Sequence, residues 1–374
     1  MKKVAIIGAS YLQLPLVEKC KELGYYSICF AIPEGAVCKE VCDEFYPISI
    51  VEKDSILEIC KELKIDAILT IASDVAVPTV NYVAEKLGLI GNPISSSSCT
   101  TNKIEMKHVF EKANLPTAKN ALLTTENDLP IVSTFQFPLI IKPSDRSGSL
   151  GVTKVNSENE VIEAFQIAKK ASFCGQVIVE EFITGSEISV ETISNDGHHY
   201  FLAFTDKVTS GAPHFVELEH HQPSQLPKSV IEEIKTILLS AFDALGIKFG
   251  ASHSELIITS DYRIYINEIG ARMGGDFIGS NLVFLSTGYD FLKGVLDVCL
   301  GQFEKPQIIN ENHSGVLFLS NETDFGDRIN TSHPAIKYFS IENKKSSQLA
   351  KSADRHGYFI YQNENKVSFN TIFK

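Results

Sequence analysis

The chain has 374 residues, 44% of them hydrophobic and 21% charged, which is the composition of a globular protein large enough for two or three domains. Its net charge of -12 argues against nucleic acid or an anionic membrane as a partner, because both select a basic surface. No apolar run approaches the roughly 20 residues of a membrane span. The eight cysteines are scattered without a CxxC pair, so we predict a cytoplasmic protein with reduced thiols.

Residues 3–91 alternate apolar strands with helical segments. The predicted strands are Val4–Ile7, Ser27–Phe30 and Ala67–Ile71, and the predicted helices end near Gly24, Lys64 and Leu87. This order predicts a parallel, doubly wound sheet of Rossmann type. The first turn, GASYLQLP, lacks GxGxxG, which argues against a dinucleotide site. Asp74 follows the third strand, where such sheets bind ligands, although a helix cap is its commoner role.

A polar joint at residues 91–101 marks a predicted domain boundary, and a helix begins directly after it. Asn102 is a good N-cap, and Glu105 completes a pattern like a capping box. Lys103 lies in the first turn, where a cation opposes the helix dipole. It is therefore either a solvated surface lysine or a ligand of an anion near the helix start.

The next predicted strand, Phe137–Ile141, continues into KPSDRSGSLGV. Residues 144–151 form a Ser- and Gly-rich loop whose backbone N–H groups and hydroxyls suit a phosphate lid, although an ordinary flexible turn has the same composition. Further strands at 177–180, 187–193 and 200–204 and helices at 158–170 and 228–245 predict an α+β region.

Residues 205–225 show little regular pattern and are crowded with His and Glu, so we predict a substrate loop there. The stretch contains His214, Glu217, Glu219, His220 and His221. No HxxxH or HExxH spacing supports a zinc site.

Within residues 253–276, the apolar runs Glu255–Ile258 and Arg263–Ile266 around a polar turn at residues 259–262 predict a β-hairpin. Glu255 and Glu268 lie on its two arms, and a turn with an even number of residues would place them on one face, about 4.5–8 Å apart. Two facing carboxylates favour a divalent cation between them, and Arg272 follows as a phosphate-binding fork. The alternative is a surface hairpin with scattered charges.

Taken in order, IIKPSDRSGSLGV, VIVEEFITGSEISVE, HSELI and INEIGARMGGD resemble the ATP-grasp superfamily over essentially the whole chain. The resemblance implies an α/β plus α+β architecture. A Rossmann-like preceding domain would occupy residues 1–93, and the ATP-grasp domain residues 94–305, with its lid subdomain at about 110–185. A small C-terminal subdomain would follow at 306–374, where the sequence offers no clear chemistry.

The resemblance also implies the site residues. ATP would be bound by Lys103, Lys142, Gly148, Ser149, Glu180, Glu181, Ile183 and Glu187. Mg²⁺, with Mn²⁺ as the alternative, would be bound by Glu255 and Glu268, and Arg272 and His220 would stabilise the reacting group. Many members have an asparagine as a further metal ligand where this chain has Gly270. His221 adjoins His220, so the active-site histidine is either of the two.

The motifs are most similar to those of the L-amino-acid ligase branch. That similarity implies a carboxylate–amine ligase that joins small metabolites, such as amino acids, through an acylphosphate and releases ADP and phosphate. Homodimers are common in related enzymes. The alternatives are a carbamoyl-phosphate-synthase-like or purine-pathway enzyme of the same superfamily, and a non-catalytic nucleotide-binding regulatory protein.

Overall fold

The computed structural model describes residues 1–320, 332–341 and 349–367. Its first sheet is parallel, with the order β3-β2-β1-β4. The strands are β1 (Lys3–Ile7), β2 (Tyr26–Phe30), β3 (Glu44–Tyr46) and β4 (Ala67–Leu69), and the helices are α1 (Leu14–Glu22), α2 (Lys53–Leu63) and α3 (Val77–Leu87). The Rossmann-type prediction is confirmed. Strand β3 was not predicted, because its three half-buried residues carry no apolar run.

A second sheet, here called the lid sheet, is antiparallel and has the order β5-β8-β6-β7. Its strands are β5 (Asn120–Leu123), β6 (Leu139–Pro143), β7 (Thr153–Val155) and β8 (Val177–Glu181). Helix α4 (Lys103–Lys112) precedes it, and helix α5 (Val161–Ala171) covers it. The covering face is apolar at the i, i+3, i+4, i+7 spacing of Val161, Ala164, Phe165 and Ala168, all of which join the core of this sheet.

The third sheet, here called the main sheet, is antiparallel and has the order β13-β12-β9-β10-β11-β14-β16-β15. Its strands are β9 (Ser186–Asn195), β10 (His198–Thr209), β11 (Glu217–Gln222), β12 (Gly250–Ile258), β13 (Ile264–Gly270), β14 (His313–Leu319), β15 (Ile336–Ile341) and β16 (Gly357–Asn363). Helix α6 (Lys228–Leu245) packs on it together with α4. Helices α7 (Val283–Thr287) and α8 (Phe291–Cys299) follow β13. In the described residues, no helix is both long and apolar enough to cross a membrane.

The predicted substrate loop at residues 205–225 is wrong over most of its length. Strand β10 continues through Thr209, β11 begins at Glu217, and only residues 210–216 form a loop. The sequence shows no alternation of apolar residues here, because buried positions such as Lys207 and His220 are polar. Strand β14 pairs with β11, so the C-terminal strands continue the main sheet.

Candidate active site

A cavity of about 870 Å³ lies between the lid sheet and the main sheet, and all the predicted site residues line it. These are Lys103, Lys142, Gly148, Ser149, Glu180, Glu181, Ile183, Glu187, His220, Glu255, Glu268 and Arg272. Residues after β4, such as Asp74, and from the C-terminal segment, such as Arg355, complete the wall. The cavity therefore gathers side chains from distant parts of the chain.

Glu255 and Glu268 are direct cross-strand partners, but the turn does not bring them together. Ile258 pairs with Ile264, which leaves the odd number of five residues between them. That register alone would place the two glutamates on opposite faces. A bulge between Glu255 and Leu256 leaves Asn267 unpaired and shifts the register by one residue, so that Glu268 faces Glu255.

Glu268 is held by the lysine at the start of α4. The Lys103 ammonium lies 2.9 Å from Glu268 Oε2 and donates a hydrogen bond of 2.8 Å to the backbone carbonyl of Arg146. Burial by itself lowers the pKa of Lys103, but the charge of Glu268 outweighs it and the net pKa is raised. Lys103 is thus a buried cation beside the acidic pair, and the surface-lysine alternative is wrong.

Lys207, which no sequence pattern indicated, forms ion pairs with Glu255 and with two further glutamates. Its ammonium is 2.6 Å from Glu255 Oε1, 2.5 Å from Glu187 Oε1 and 3.8 Å from Glu217 Oε1. Burial disfavours both charges, yet mutual attraction raises the pKa of Lys207 and lowers that of Glu255. Both groups are therefore charged at neutral pH, and Glu187 faces the same lysine.

Glu180 lies between two buried lysines in the cavity wall. Its carboxylate is 2.5 Å from the ammonium of Lys142 and 3.0 Å from that of Lys107, which no sequence pattern indicated either. Burial raises the pKa of Glu180, but the two lysines together lower it to about 2. Lys142 also donates to the side-chain oxygen of Asn267 at 3.3 Å, which connects the lid sheet to the bulge.

Residues 144–151, here called the lid loop, lie over this part of the cavity. Gly148 and Ser149 both have positive φ values, 67° and 57°, and Ser149 donates a hydrogen bond of 3.1 Å to the carbonyl of Phe215. Phe215 also contacts Phe182 beside the predicted adenine hinge, with ring centroids 6.0 Å apart. Glu181 of that hinge accepts a hydrogen bond from the backbone N–H of Gln136. The lid loop is therefore in contact with loop 210–216.

Arg272 is fixed by Asp74, which lies in the short helix Asp74–Ala76 after β4. Its Nε and one terminal nitrogen donate to the two oxygens of Asp74 at 2.8 and 2.9 Å. Burial lowers the pKa of the arginine and raises that of the aspartate, but their mutual attraction reverses both effects. No side-chain capping bond is formed at the short helix that contains Asp74, so its role here is this bidentate pair and not a cap.

The Asp74–Arg272 pair explains why position 270 is a glycine. A Cβ atom added to Gly270 would lie 2.8 Å from Asp74 Oδ1 and 3.3 Å from Arg272 Nε. Any side chain there, including the asparagine found in many ATP-grasp enzymes, would displace this ion pair. The chain therefore has the Asp74–Arg272 ion pair beside the position where the predicted third metal ligand is missing.

We predict that Gly270→Ala lowers both stability and ATP turnover, because the methyl group displaces a buried ion pair. Breaking such a pair costs about 3–5 kcal/mol of unfolding free energy. Denaturant unfolding and phosphate release would measure the two effects. Gly275→Ala is the matched control, since its Cβ would meet Ala72 at an ordinary 3.5 Å. Equal behaviour of the two variants would contradict the steric argument.

Of the two adjacent histidines, His220 lines the cavity and His221 does not. The ring of His221 bonds to Tyr361 at 3.0 Å and to Glu219 at 2.8 Å. His220 is 1% exposed, and its Nε2 lies 3.8 Å from Asp276 Oδ2. Burial lowers the pKa of His220 despite the opposing effect of Asp276, so its ring is neutral at neutral pH.

The acidic pair fits a divalent cation. Two carboxylates in cross-strand register supply hard oxygen ligands, and Mg²⁺ in phosphate sites typically takes one or two carboxylates together with phosphate oxygens and water. Within residues 1–320, 332–341 and 349–367, no cluster of three or more His, Cys, Asp or Glu side chains has the arrangement of a metal site. The remaining ligands would therefore come from the nucleotide and water.

Comparison with known proteins agrees with this geometry. Residues 135–280 match the model of an ATP-grasp domain. The alanine--anticapsin ligase of Bacillus subtilis strain 168 is 27% identical over 275 residues, which cover 67% of this chain but only 57% of the ligase. The L-amino acid ligase from Bacillus licheniformis has the same fold, with a TM-score of 0.82 and 23% identity, over 98% of this chain and 94% of that one.

A second solved structure is also similar. The N5-carboxyaminoimidazole synthetase from Staphylococcus aureus, complexed with ADP, has a TM-score of 0.80 and 16% identity, over 99% of this chain and 95% of that one. The domain match, the sequence relatives and the shared fold agree with one another. Residues 135–280 are therefore similar to an ATP-grasp domain, and the whole chain shares the fold of these solved structures.

Proposed function

We propose that this protein is an ATP-dependent carboxylate–amine ligase that joins two small metabolites, at least one of them an amino acid. The observation that carries the proposal is a cavity in which two facing carboxylates, four buried lysines and a largely buried arginine converge. Such a set neutralises the charge that develops in phosphoryl transfer. The named activities of the ligases similar to this chain support the amino-acid substrate class.

In this proposal ATP binds between the two sheets. Lys103, Lys142 and the lid loop contact its phosphates, Ile183 and the backbone near Glu181 meet the adenine edge, and Glu187 binds the ribose hydroxyls. Glu180 keeps Lys142 extended toward the phosphates, because the two form a buried ion pair. Glu255 and Glu268 hold Mg²⁺, which supplies electrophilic charge to the phosphates when bound.

The reaction then proceeds in two steps. A carboxylate oxygen attacks the terminal phosphorus of ATP, which forms an acylphosphate and releases ADP. An amine next attacks the acyl carbon, and phosphate leaves. Arg272, with His220, stabilises the tetrahedral oxyanion. The lid loop excludes water, which would otherwise hydrolyse the acylphosphate.

The same proposal divides the chain into a preceding domain at residues 1–93, an ATP-grasp domain at 94–305 and a C-terminal subdomain at 306–374. Asp74 and Arg355 reach the cavity from the first and last of these. All three parts would therefore contribute to the reaction, and oligomerisation is not needed to complete the site.

The test is phosphate release from ATP and Mg²⁺ with pooled amino acids, followed by mass spectrometry of the products. We expect turnover that requires an amino-acid pair and a product mass equal to the sum of the two minus water. Turnover that depends on bicarbonate would instead favour the chemistry of the carboxylating relatives. ATP binding without stimulation by any carboxylate–amine pair would overturn the ligase proposal in favour of a regulatory nucleotide-binding role.

A further inference from the structure

His220 lines the cavity, and both of its ring nitrogens are buried. In the described part of the chain neither nitrogen has a hydrogen-bond partner, and Asp276 Oδ2 lies 3.8 Å from Nε2. A neutral imidazole has one N–H donor and one lone-pair acceptor, and leaving both unpaired in a buried site is unfavourable. A bound ligand that both accepts and donates a hydrogen bond would satisfy the ring.

The position of His220 places such a ligand beside the reaction. His220 is the direct cross-strand partner of Lys207, whose ammonium binds Glu255 of the acidic pair. On its other side the ring packs edge-on against Phe318, with centroids 5.8 Å apart. The unpaired nitrogens are therefore confined between an apolar wall and the phosphate end of the cavity.

Arg355 forms an ion pair with Asp276, the acid beside His220. Its two terminal nitrogens donate to both oxygens of Asp276 at 2.7 and 2.8 Å, and its guanidinium lies 3.7 Å from the ring centroid of Phe318. Its Nε donates to the carbonyl of Ser352, so the side chain has little freedom to turn away. Asp276 Oδ2 lies 3.8 Å from His220 Nε2, and the ion pair with Arg355 offsets the negative charge of Asp276.

The backbone at Asp276 and Phe277 is strained, and the contact with Arg355 helps to hold it in place. Asp276 and Phe277 are consecutive non-glycine residues with positive φ values of 49° and 66°. Such a corner is unfavourable for a bulky residue and persists only where surrounding contacts fix it. Arg355 fixes Asp276, and Tyr358 packs on Phe277 with ring centroids 4.3 Å apart. Both contacts come from the C-terminal segment.

From this arrangement we infer that His220 accepts the proton of the attacking amine. Arg355 is a positioning residue for His220, because it holds Asp276 and offsets its negative charge. The inference rests on the proposed ligase function. One proton moves from the substrate ammonium to the unpaired nitrogen of His220. The freed lone pair forms the C–N bond, the C–O bond to phosphate breaks with its electron pair, and the second proton leaves with phosphate or water. The other ring nitrogen can donate its N–H to the oxyanion.

The charged groups around His220 agree with a neutral ring that can accept a proton. Lys207 faces it from β10 and disfavours its protonated form, whereas Glu217 on β11 and Asp276 favour that form. Arg355 offsets Asp276 from the C-terminal segment. From β14 the ring is contacted by the apolar Phe318.

The decisive experiment compares two acceptors in the full-length protein. An α-amino group is mostly protonated at neutral pH and needs a base, whereas hydroxylamine is mostly unprotonated and traps acylphosphates directly. His220→Asn keeps an N–H donor for the oxyanion but has no basic nitrogen. We therefore expect a loss of roughly 100-fold or more with the amino-acid acceptor, but only a few-fold loss with hydroxylamine. Equal losses with both acceptors would overturn the base role, because an oxyanion or structural role would affect both.

A second measurement tests Arg355 by following the titration of the His220 ring by NMR, assigned with His220→Asn. In Arg355→Gln, Asp276 is no longer neutralised, so the pKa of His220 should rise by about one unit. The acidic limb of the kcat profile should move to higher pH by the same amount, and Arg355→Lys should restore most of the original profile. An unshifted titration would overturn the role of Arg355 alone. No turnover of the wild-type protein with any pair would overturn the ligase function and the role of His220 with it.

Discussion

Glu268→Gln is expected to lower ATP turnover by roughly 100- to 1,000-fold, since a bound divalent cation contributes several kcal/mol of charge stabilisation and each ~1.4 kcal/mol is a factor of ten. Glu268 is one of only two carboxylates in the cross-strand pair, and Gly270 cannot compensate because Asp74 occupies the space beside it. Turnover measured against Mg²⁺ concentration should show a much weaker dependence on the metal.

The fold should survive this change. The amide oxygen introduced by Glu268→Gln can still accept a hydrogen bond from Lys103, which also keeps its bond to the carbonyl of Arg146. We expect the unfolding free energy to fall by only about 1–2 kcal/mol, the value of a hydrogen bond to a charged group. Glu233→Gln, on the exposed face of α6, is the matched control. Full Mg²⁺-dependent turnover of Glu268→Gln would refute the metal assignment.

Lys207→Met should reduce both turnover and stability, because it removes the cation shared by three acids. The ammonium is buried and contacts Glu187, Glu255 and Glu217. Removing one partner of a buried charge network costs about 3–5 kcal/mol. Denaturant unfolding should therefore show an earlier midpoint, and turnover should fall with it. Lys207→Arg, which keeps the charge, should retain much of the stability.

The pH dependence of unfolding gives an independent test of this network. The pKa of Glu255 is lowered in the folded protein, so the stabilisation is complete above the unfolded pKa of about 4.3 and is lost as the pH falls toward the lower folded value. The loss of stability below about pH 5 should be shallower in Lys207→Met than in the wild type. Lys235→Met, which removes an exposed pair with Glu232, is the control. Identical pH profiles of Lys207→Met and the wild type would contradict the network.

The sequence by itself indicated an ATP-grasp domain, most of the regular elements and a set of candidate ATP and metal ligands that line one cavity. These features are local. A buried strand that ends in Lys142, a loop rich in glycine and two β-branched arms around a turn each occupy a few consecutive residues. Local patterns of this kind follow from backbone and side-chain preferences that neighbouring residues express together.

The contacts that the sequence did not reveal join residues that lie far apart in the chain. Arg272 and Asp74 are 198 positions apart, and Lys207 and Glu255 are 48 apart. Strand β11 has no strand signature because its polar residues are buried against such partners, which removes the alternation that marks a strand. Asp276 is bound by Arg355, which lies in a segment where the sequence shows no recognisable motif.

The hairpin of Glu255 and Glu268 shows what the sequence determined and what only the tertiary structure decided. The sequence determined that two acidic residues lie on adjacent arms close to an arginine and a glycine pair. The tertiary structure decided that they face each other, because a bulge at Asn267 corrects a turn of odd length. It also decided what surrounds them. Buried charges need compensating charges within a few ångströms, and only folding brings Lys103, Lys207 and Asp74 to that distance.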